Sequence, residues 1–100
     1  MNDHSIHFEA PIWRYDGKVA WHFISVPKAP SAQIRFWAAG KRSAWGSVRV
    51  SVMIGKTSWQ TSLFPDSKSG CYLLTIKARV RKQERLQVGD SVSLKLVVLG

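Results

Sequence analysis

Acidic side chains are scarce in this chain: six Asp and Glu stand against fifteen Lys and Arg, leaving a formal net charge of +9 over 100 residues. Such an excess either keeps a small domain soluble or attracts polyanions, whose binding releases counterions and weakens with salt. Cysteine is nearly absent. Cys71 has no partner in the chain, which excludes an intramolecular disulfide, a disulfide-stapled extracellular scaffold and a cysteine-rich zinc site. His4, His7 and His22 lack the paired spacing of metal ligands, so neither a metal nor a cofactor is expected. Long apolar runs are missing as well. The longest aliphatic stretch, Leu96 to Leu99, falls far short of the roughly 20 residues of a bilayer span, and Met1 to Glu9 lacks the basic and apolar regions of a signal peptide. A cytoplasmic chain with no membrane partner is the expectation. There is no internal repeat, no low-complexity tract, no nucleophile in a motif context and no phosphate loop, since Gly89-Asp90 precedes a strand and not a helix.

What is present is enough apolar material to fold. The chain is 45% hydrophobic and 11% aromatic, which argues against disorder, and its length suits one domain over residues 1–100. Ile6, Phe8, Ala10 and Ile12 alternate with polar or outward positions up to Tyr15-Asp16-Gly17-Lys18, a hairpin signal. An Asp-Gly type I′ turn would set Phe8, Ala10 and Ile12 opposite Ser25, Phe23 and Trp21 on a core face. After Pro27 and Pro30, Ser31 to Ala39 carries Ile34, Trp37 and Ala38 at helical spacing. Val48, Val50, Val52 and Ile54 then lead to Gly55-Lys56, which suits a type II′ turn and pairs them with Leu63, Thr61, Trp59 and Thr57. A Pro65–Gly70 loop, a Cys71–Lys77 strand, a short helix over Ala78–Arg85 and a last strand with Val92, Leu94, Leu96 and Val98 inward complete the chain. Six strands in so short a chain leave edges that need closing, so the expected fold is all-β, mainly β with two short helices, in a small barrel.

Several segments carry a resemblance in order and spacing: Trp21-His-Phe-Ile-Ser-Val-Pro27, Trp45-Gly-Ser-Val-Arg-Val50, Trp59-Gln-Thr-Ser-Leu-Phe-Pro65, Tyr72-Leu-Leu-Thr-Ile-Lys77, Val80-Arg-Lys82 and Val88-Gly-Asp-Ser-Val92. Over nearly its whole length the chain resembles the bacterial DUF1905 family of domains of unknown function. The resemblance implies a six-stranded double-split pseudobarrel, found in some members beside a domain associated with bacteriocin protection and outer-membrane protein. It implies no functional residues. Thr75 departs from similar sequences, which commonly place Pro after a Leu there; Thr restores a ladder donor. The same architecture resembles that of bacterial transition-state regulators and antitoxins, which bind DNA as dimers, a likeness of fold alone.

Two groups of residues stand out as candidate sites. Lys77, Arg81 and Arg85 are spaced to line one helix face, with Arg79 and Lys82 beside them, where phosphates of a nucleic acid or another acidic partner would dock. The plain alternative is a solvated helix face whose Val80 and Leu86 touch the core. Trp13, Trp37 and Trp45 form a candidate aromatic pocket, with Arg35, Lys41, Arg42 and Arg49 near the latter two in sequence. Trp21 and Trp59 fall on expected core faces. His22 is expected across from Pro11 and diagonal to Glu9, a cross-strand polar contact without a catalytic partner. Cys71 is expected to be an inert small hydrophobe. The sequence thus suggests a non-enzymatic binding module for nucleic acid or another polyanion. A small-ligand domain with an aromatic pocket is the alternative, as is an interaction subunit or homodimer formed through strand edges.

Overall fold

In the computed structural model, which describes residues 4–40 and 46–99, two long strands carry the architecture and each has a proline where it changes neighbour. β1 (Ser5–Asp16) pairs along Ser5–Pro11 with β6 (Ser91–Val98), then along Ile12–Asp16 with β2 (Ala20–Ser25). β4 (Thr57–Asp66) pairs along Thr57–Leu63 with β3 (Val48–Ile54), then along Phe64–Asp66 with β5 (Cys71–Thr75). Pro11 and Pro65 fall at these changes, where a residue with no N–H leaves no ladder bond unmade. At the first of them Ile12 is pinned from the β6 side: its N–H donates to Asp90 O at 3.0 Å and its carbonyl accepts from Gly89 N at 2.9 Å.

The remaining pairings, β2 with β5 and β3 with β6, close the ring in the order β1-β2-β5-β4-β3-β6. The fold is a closed six-stranded antiparallel barrel in two half-sheets that share β1 and β4, with two short helices. This is the split arrangement the resemblance implied. Closure removes the free edges that six strands would otherwise expose.

Strict alternation builds the core. Val48, Val50, Val52, Ile54, Leu63, Leu74, Val92, Leu94, Leu96 and Val98 are buried, and the β3–β4 register is the expected one, with Val50 opposite Thr61 and Ile54 opposite Thr57. Gly55 has φ +56 while Lys56 is not among the positive-φ residues, as a type II′ turn requires. Burial of Ile12, Ile24, Leu63, Leu74 and Leu96, each at most 1% exposed, stabilises the fold by roughly 1.5–3 kcal/mol per side chain. Trp59 packs against this core as expected, and Cys71 is a buried free thiol.

The helices depart from expectation at their ends. α1 (Lys28–Trp37) starts three residues before Ser31, because Pro30 lies in the first turn, where its missing N–H would have had no intrahelical partner. α1 packs on β5 through a buried hydroxyl: Ser31 Oγ donates to Val26 O at 3.0 Å and accepts from Tyr72 N–H at 3.1 Å. α2 (Ala78–Glu84) ends one residue early, with Arg85 in the left-handed region at φ 55 and ψ 49. Its Glu84 carboxylate accepts from Thr57 Oγ1 at 2.6 Å and tethers it to the start of β4. No helix among the described residues is long and apolar enough to cross a membrane.

The first hairpin has a different register from the expected one. Ile12 lies opposite Ile24, three residues beyond Trp21, and the connection is Gly17-Lys18-Val19 between Asp16 and Ala20. An odd shift turns every side chain of the second strand to the other face. Ile24 and Val26 therefore face the core, while Trp21 is 49% exposed on the outside, not in the core. Likewise Pro65 and Asp66 continue β4 instead of opening the loop, and Thr75 pairs with Phe23 in the ladder.

Candidate functional site

The register that moves Trp21 outward also gathers aromatic side chains from three strands, with a fourth, β5, lying between two of them. With Ile12, Ile24, Leu63 and Leu74 inward, alternation puts Trp13 and Tyr15 of β1, Trp21 and Phe23 of β2, Leu73 and Thr75 of β5 and Phe64 of β4 on the outer face. The pairings Tyr15–Trp21, Trp13–Phe23–Thr75 and Phe64–Leu73 set these residues side by side. Trp21 and Phe23 stack at 6.3 Å between centroids with planes 10° apart, and Trp13 leans on Phe23 at 5.1 Å and 39°. Trp13 Nε1 donates to Ser25 Oγ at 2.9 Å, which satisfies the indole and fixes the ring. Tyr15, Trp21 and Phe64 remain about half exposed, at 55%, 49% and 51%.

Two shallow depressions follow the row. One of about 520 Å³ runs from Trp13 and Tyr15 past Phe23 to Leu73, rimmed by Asp66 and Lys68. The other, of about 260 Å³, lies among Trp21, Phe23, Phe64 and Leu73. Asp66 is the acid on this rim, and its carboxylate is engaged by the turn that follows: Oδ2 accepts from Ser69 Oγ at 2.9 Å and Oδ1 from Lys68 N–H at 3.3 Å.

The cationic residues of α2 do not form the line that their spacing suggests. Lys77 is the helix N-cap, Arg79 and Lys82 are exposed on the seven-residue helix, and Arg85 leaves it through a left-handed backbone. Arg81 is half-buried and folds back, Nη1 donating to Ile76 O at 2.6 Å. Lys77 and Arg81 instead line a cavity of about 240 Å³ together with Trp21 and His22. His22 sits opposite Arg14, not Pro11, while Glu9 lies opposite Ser93, so the expected His22–Glu9 contact does not form. Desolvation first, then the Arg81 and Arg14 charges, hold the His22 imidazole below the ordinary histidine value of 6.5, against the pull of Asp16.

Of the aromatic triad expected from the sequence, Trp13 and Trp37 border different depressions. Trp37 lies on α1, packs against the core and stacks on the His4 imidazole at 4.8 Å and 9°, beside a different depression lined by Ile6, Pro30 and Gln33. Trp45, like Lys41 and Arg42, lies outside the described residues. Arg35 acts as a strut, its Nη2 donating to Gly70 O at 2.7 Å with the guanidinium 5.5 Å from the Tyr72 ring centroid. Trp13 has partners that spacing alone does not assign to it, namely Tyr15, Trp21 and Phe23. The signal lies in aromatic residues two apart on both arms of one hairpin, Trp13-Arg-Tyr15 and Trp21-His-Phe23. Phe64 and Leu73 join them through barrel closure, which no local pattern reports. Among the described residues, no three His, Cys, Asp or Glu side chains are placed to hold a metal ion.

Comparison with known families matches residues 8–96 to the model described as Domain of unknown function (DUF1905). No curated protein matches the chain.

Proposed function

The chain belongs to the DUF1905 family, whose description names no activity, and we propose that it is a non-enzymatic module that binds single-stranded nucleic acid across the outer face of β1, β2, β5 and β4. The observation that carries this reading is the row Trp13, Tyr15, Trp21, Phe23 and Phe64, of which Tyr15, Trp21 and Phe64 are about half exposed, on a chain of net charge +9. Single strands are held by such a combination, in which exposed rings take the flat faces of bases and cations follow the phosphates. Lys77 and Arg81 border the row at Trp21, Lys68 borders it at Phe23, and Arg79 and Lys82 are exposed on α2 with Arg85 exposed just past its end. A duplex offers this face little, since its bases are stacked on one another and its grooves are not read by flat rings. The experiment is a fluorescence anisotropy titration of a labelled oligothymidylate over a range of salt. Lys82→Ala with Arg85→Ala should reduce the salt slope by about 0.7 for each phosphate that is no longer neutralised, while folding is unchanged. An unchanged slope would place the phosphates elsewhere.

A second reading rests on the depression between Trp13 and Leu73, about 520 Å³ and mostly apolar, which has room for a small planar ligand. Such a ligand would raise the melting temperature with little salt dependence, whereas stabilisation by a polyanion would fade as salt rises.

A further inference from the structure

We propose that the cavity between the first hairpin and α2, walled by His22, Lys77 and Arg81, seats a backbone phosphodiester of the bound strand, next to a base lying on Trp21. The assignment rests on the single-strand reading above and adds to it a defined anion site. Its walls come from the end of the hairpin and from the β5–α2 junction, and a backbone bond ties the two, Ile76 N–H to His22 O at 2.9 Å. The bond from Arg81 Nη1 to Ile76 O holds the guanidinium in place before any ligand arrives. A guanidinium has five N–H donors, so this anchor leaves others for an anion, in a planar fork that matches phosphate oxygens. Lys77 adds a compact charge on the same wall. Trp21 belongs to both surfaces: it lines the cavity and also the depression shared with Phe23 and Phe64. One nucleotide with its base on that ring therefore has a cationic recess beside it.

His22 makes this site sensitive to pH. The charged groups facing it are Arg14 and Asp16 from β1 and Arg81 from α2, with Lys77 at the helix start; β5 and its exit contribute Thr75 and Ile76, which do not ionise. Burial first, then the Arg81 and Arg14 guanidinium groups, disfavour the imidazolium when the cavity holds no anion. An anion beside the ring opposes them, so its binding draws a proton onto His22. Affinity therefore rises as pH falls through the histidine range.

The test pairs two probes whose own charge is constant across that range. First, the His22 ring is titrated by NMR in sodium sulfate and in sodium chloride at equal ionic strength. Sulfate should raise the His22 pKa saturably, and Arg81→Gln should weaken sulfate roughly tenfold, the effect of removing one charge-assisted hydrogen bond. Lys77→Gln, which leaves the backbone N-cap in place, should weaken it in the same direction and serves if Arg81→Gln does not fold. Identical His22 titrations in the two salts would overturn the site. Second, oligothymidylate affinity is compared at pH 5.5 and pH 8. A rise at low pH that His22→Asn abolishes supports the assignment. Binding with no pH dependence and no effect of Lys77→Gln would overturn the phosphate seat while leaving the aromatic face standing. A sulfate response without oligothymidylate binding would keep an anion site and overturn the phosphodiester as its occupant.

Discussion

Ser31→Ala is the sharpest test of how the helix α1 is held to the barrel. Ser31 is 1% exposed, and its hydroxyl stands between two backbone groups of different elements, donating to Val26 O at 3.0 Å and accepting from Tyr72 N–H at 3.1 Å. Tyr72 is itself 1% exposed, so removing the hydroxyl leaves a backbone donor buried with no water at hand. An unsatisfied buried polar group costs about 1–3 kcal/mol, and the Val26 carbonyl loses its bond from the hydroxyl at the same time. The expected destabilisation is about 2–4 kcal/mol. For a domain of this size each kcal/mol moves the melting temperature by roughly 4–8 °C, so the variant should melt roughly 8–32 °C lower. Thermal denaturation followed by circular dichroism, with a urea titration as a second probe, measures it. The urea slope should be unchanged, since the surface exposed on unfolding is the same. A melting temperature within about 3 °C of the parent would refute the reasoning, because it would mean that the hydroxyl bridges nothing that matters to folding.

Three further outcomes are expected. Folding should weaken in mild acid through His22. Its folded-state value lies below the unfolded 6.5, so its contribution is fully favourable above about pH 6.5 and is lost as pH falls from there through the folded value. His22→Asn should flatten that part of a melting-temperature profile, and equal slopes in both proteins would contradict it. Gly55→Ala should destabilise by more than the roughly 1 kcal/mol expected from its positive φ alone, because a Cβ there would overlap the Glu84 carboxylate that holds Thr57. Placing the same change on a Glu84→Ala background should recover the excess, and strict additivity of the two in chemical denaturation would argue against the contact. Trp21→Ala, by contrast, removes a half-exposed ring; it should lower oligonucleotide affinity by about 1–3 kcal/mol for the one base it stacks, while the inward rows still hold the barrel together.

The parts of this architecture that can be read from residues alone are those where one local device sets the answer. Gly55-Lys56 admits a two-residue turn, and the strict alternation of Val48 to Ile54 leaves a single register that buries it, so the second hairpin matches expectation. Asp16-Gly17-Lys18-Val19 offers more than one way to close, and the structure takes a three-residue connection where Asp-Gly suggests two. Because side chains alternate, that difference reverses the assignment of a whole strand and hides Trp21 and Phe23 in the expected core. The sequence places the helix after Pro30, yet the first turn of a helix tolerates a proline and α1 begins at Lys28. The cationic residues are individually visible, but a helix of seven residues cannot carry a stripe from Lys77 to Arg85, and Arg81 is spent in part on Ile76 O. The aromatic face depends on Phe64 and Leu73, distant in sequence from Trp13, being brought beside it when β5 pairs with both β2 and β4.

The central claim is that the outer face binds single strands by stacking as well as by charge, and oligothymidylate binding near 150 mM salt tests it most directly. Fluorescence anisotropy of the labelled strand with the parent protein, Trp21→Ala and Phe23→Ala, against a duplex of the same length, separates the two contributions. Saturable binding of the single strand, weakened roughly tenfold or more by either aromatic change and clearly tighter than for the duplex, is the predicted result. Equal affinity for single strand and duplex that disappears between low salt and about 150 mM, with both variants unaffected, would contradict it and leave the charge of +9 as a matter of solubility.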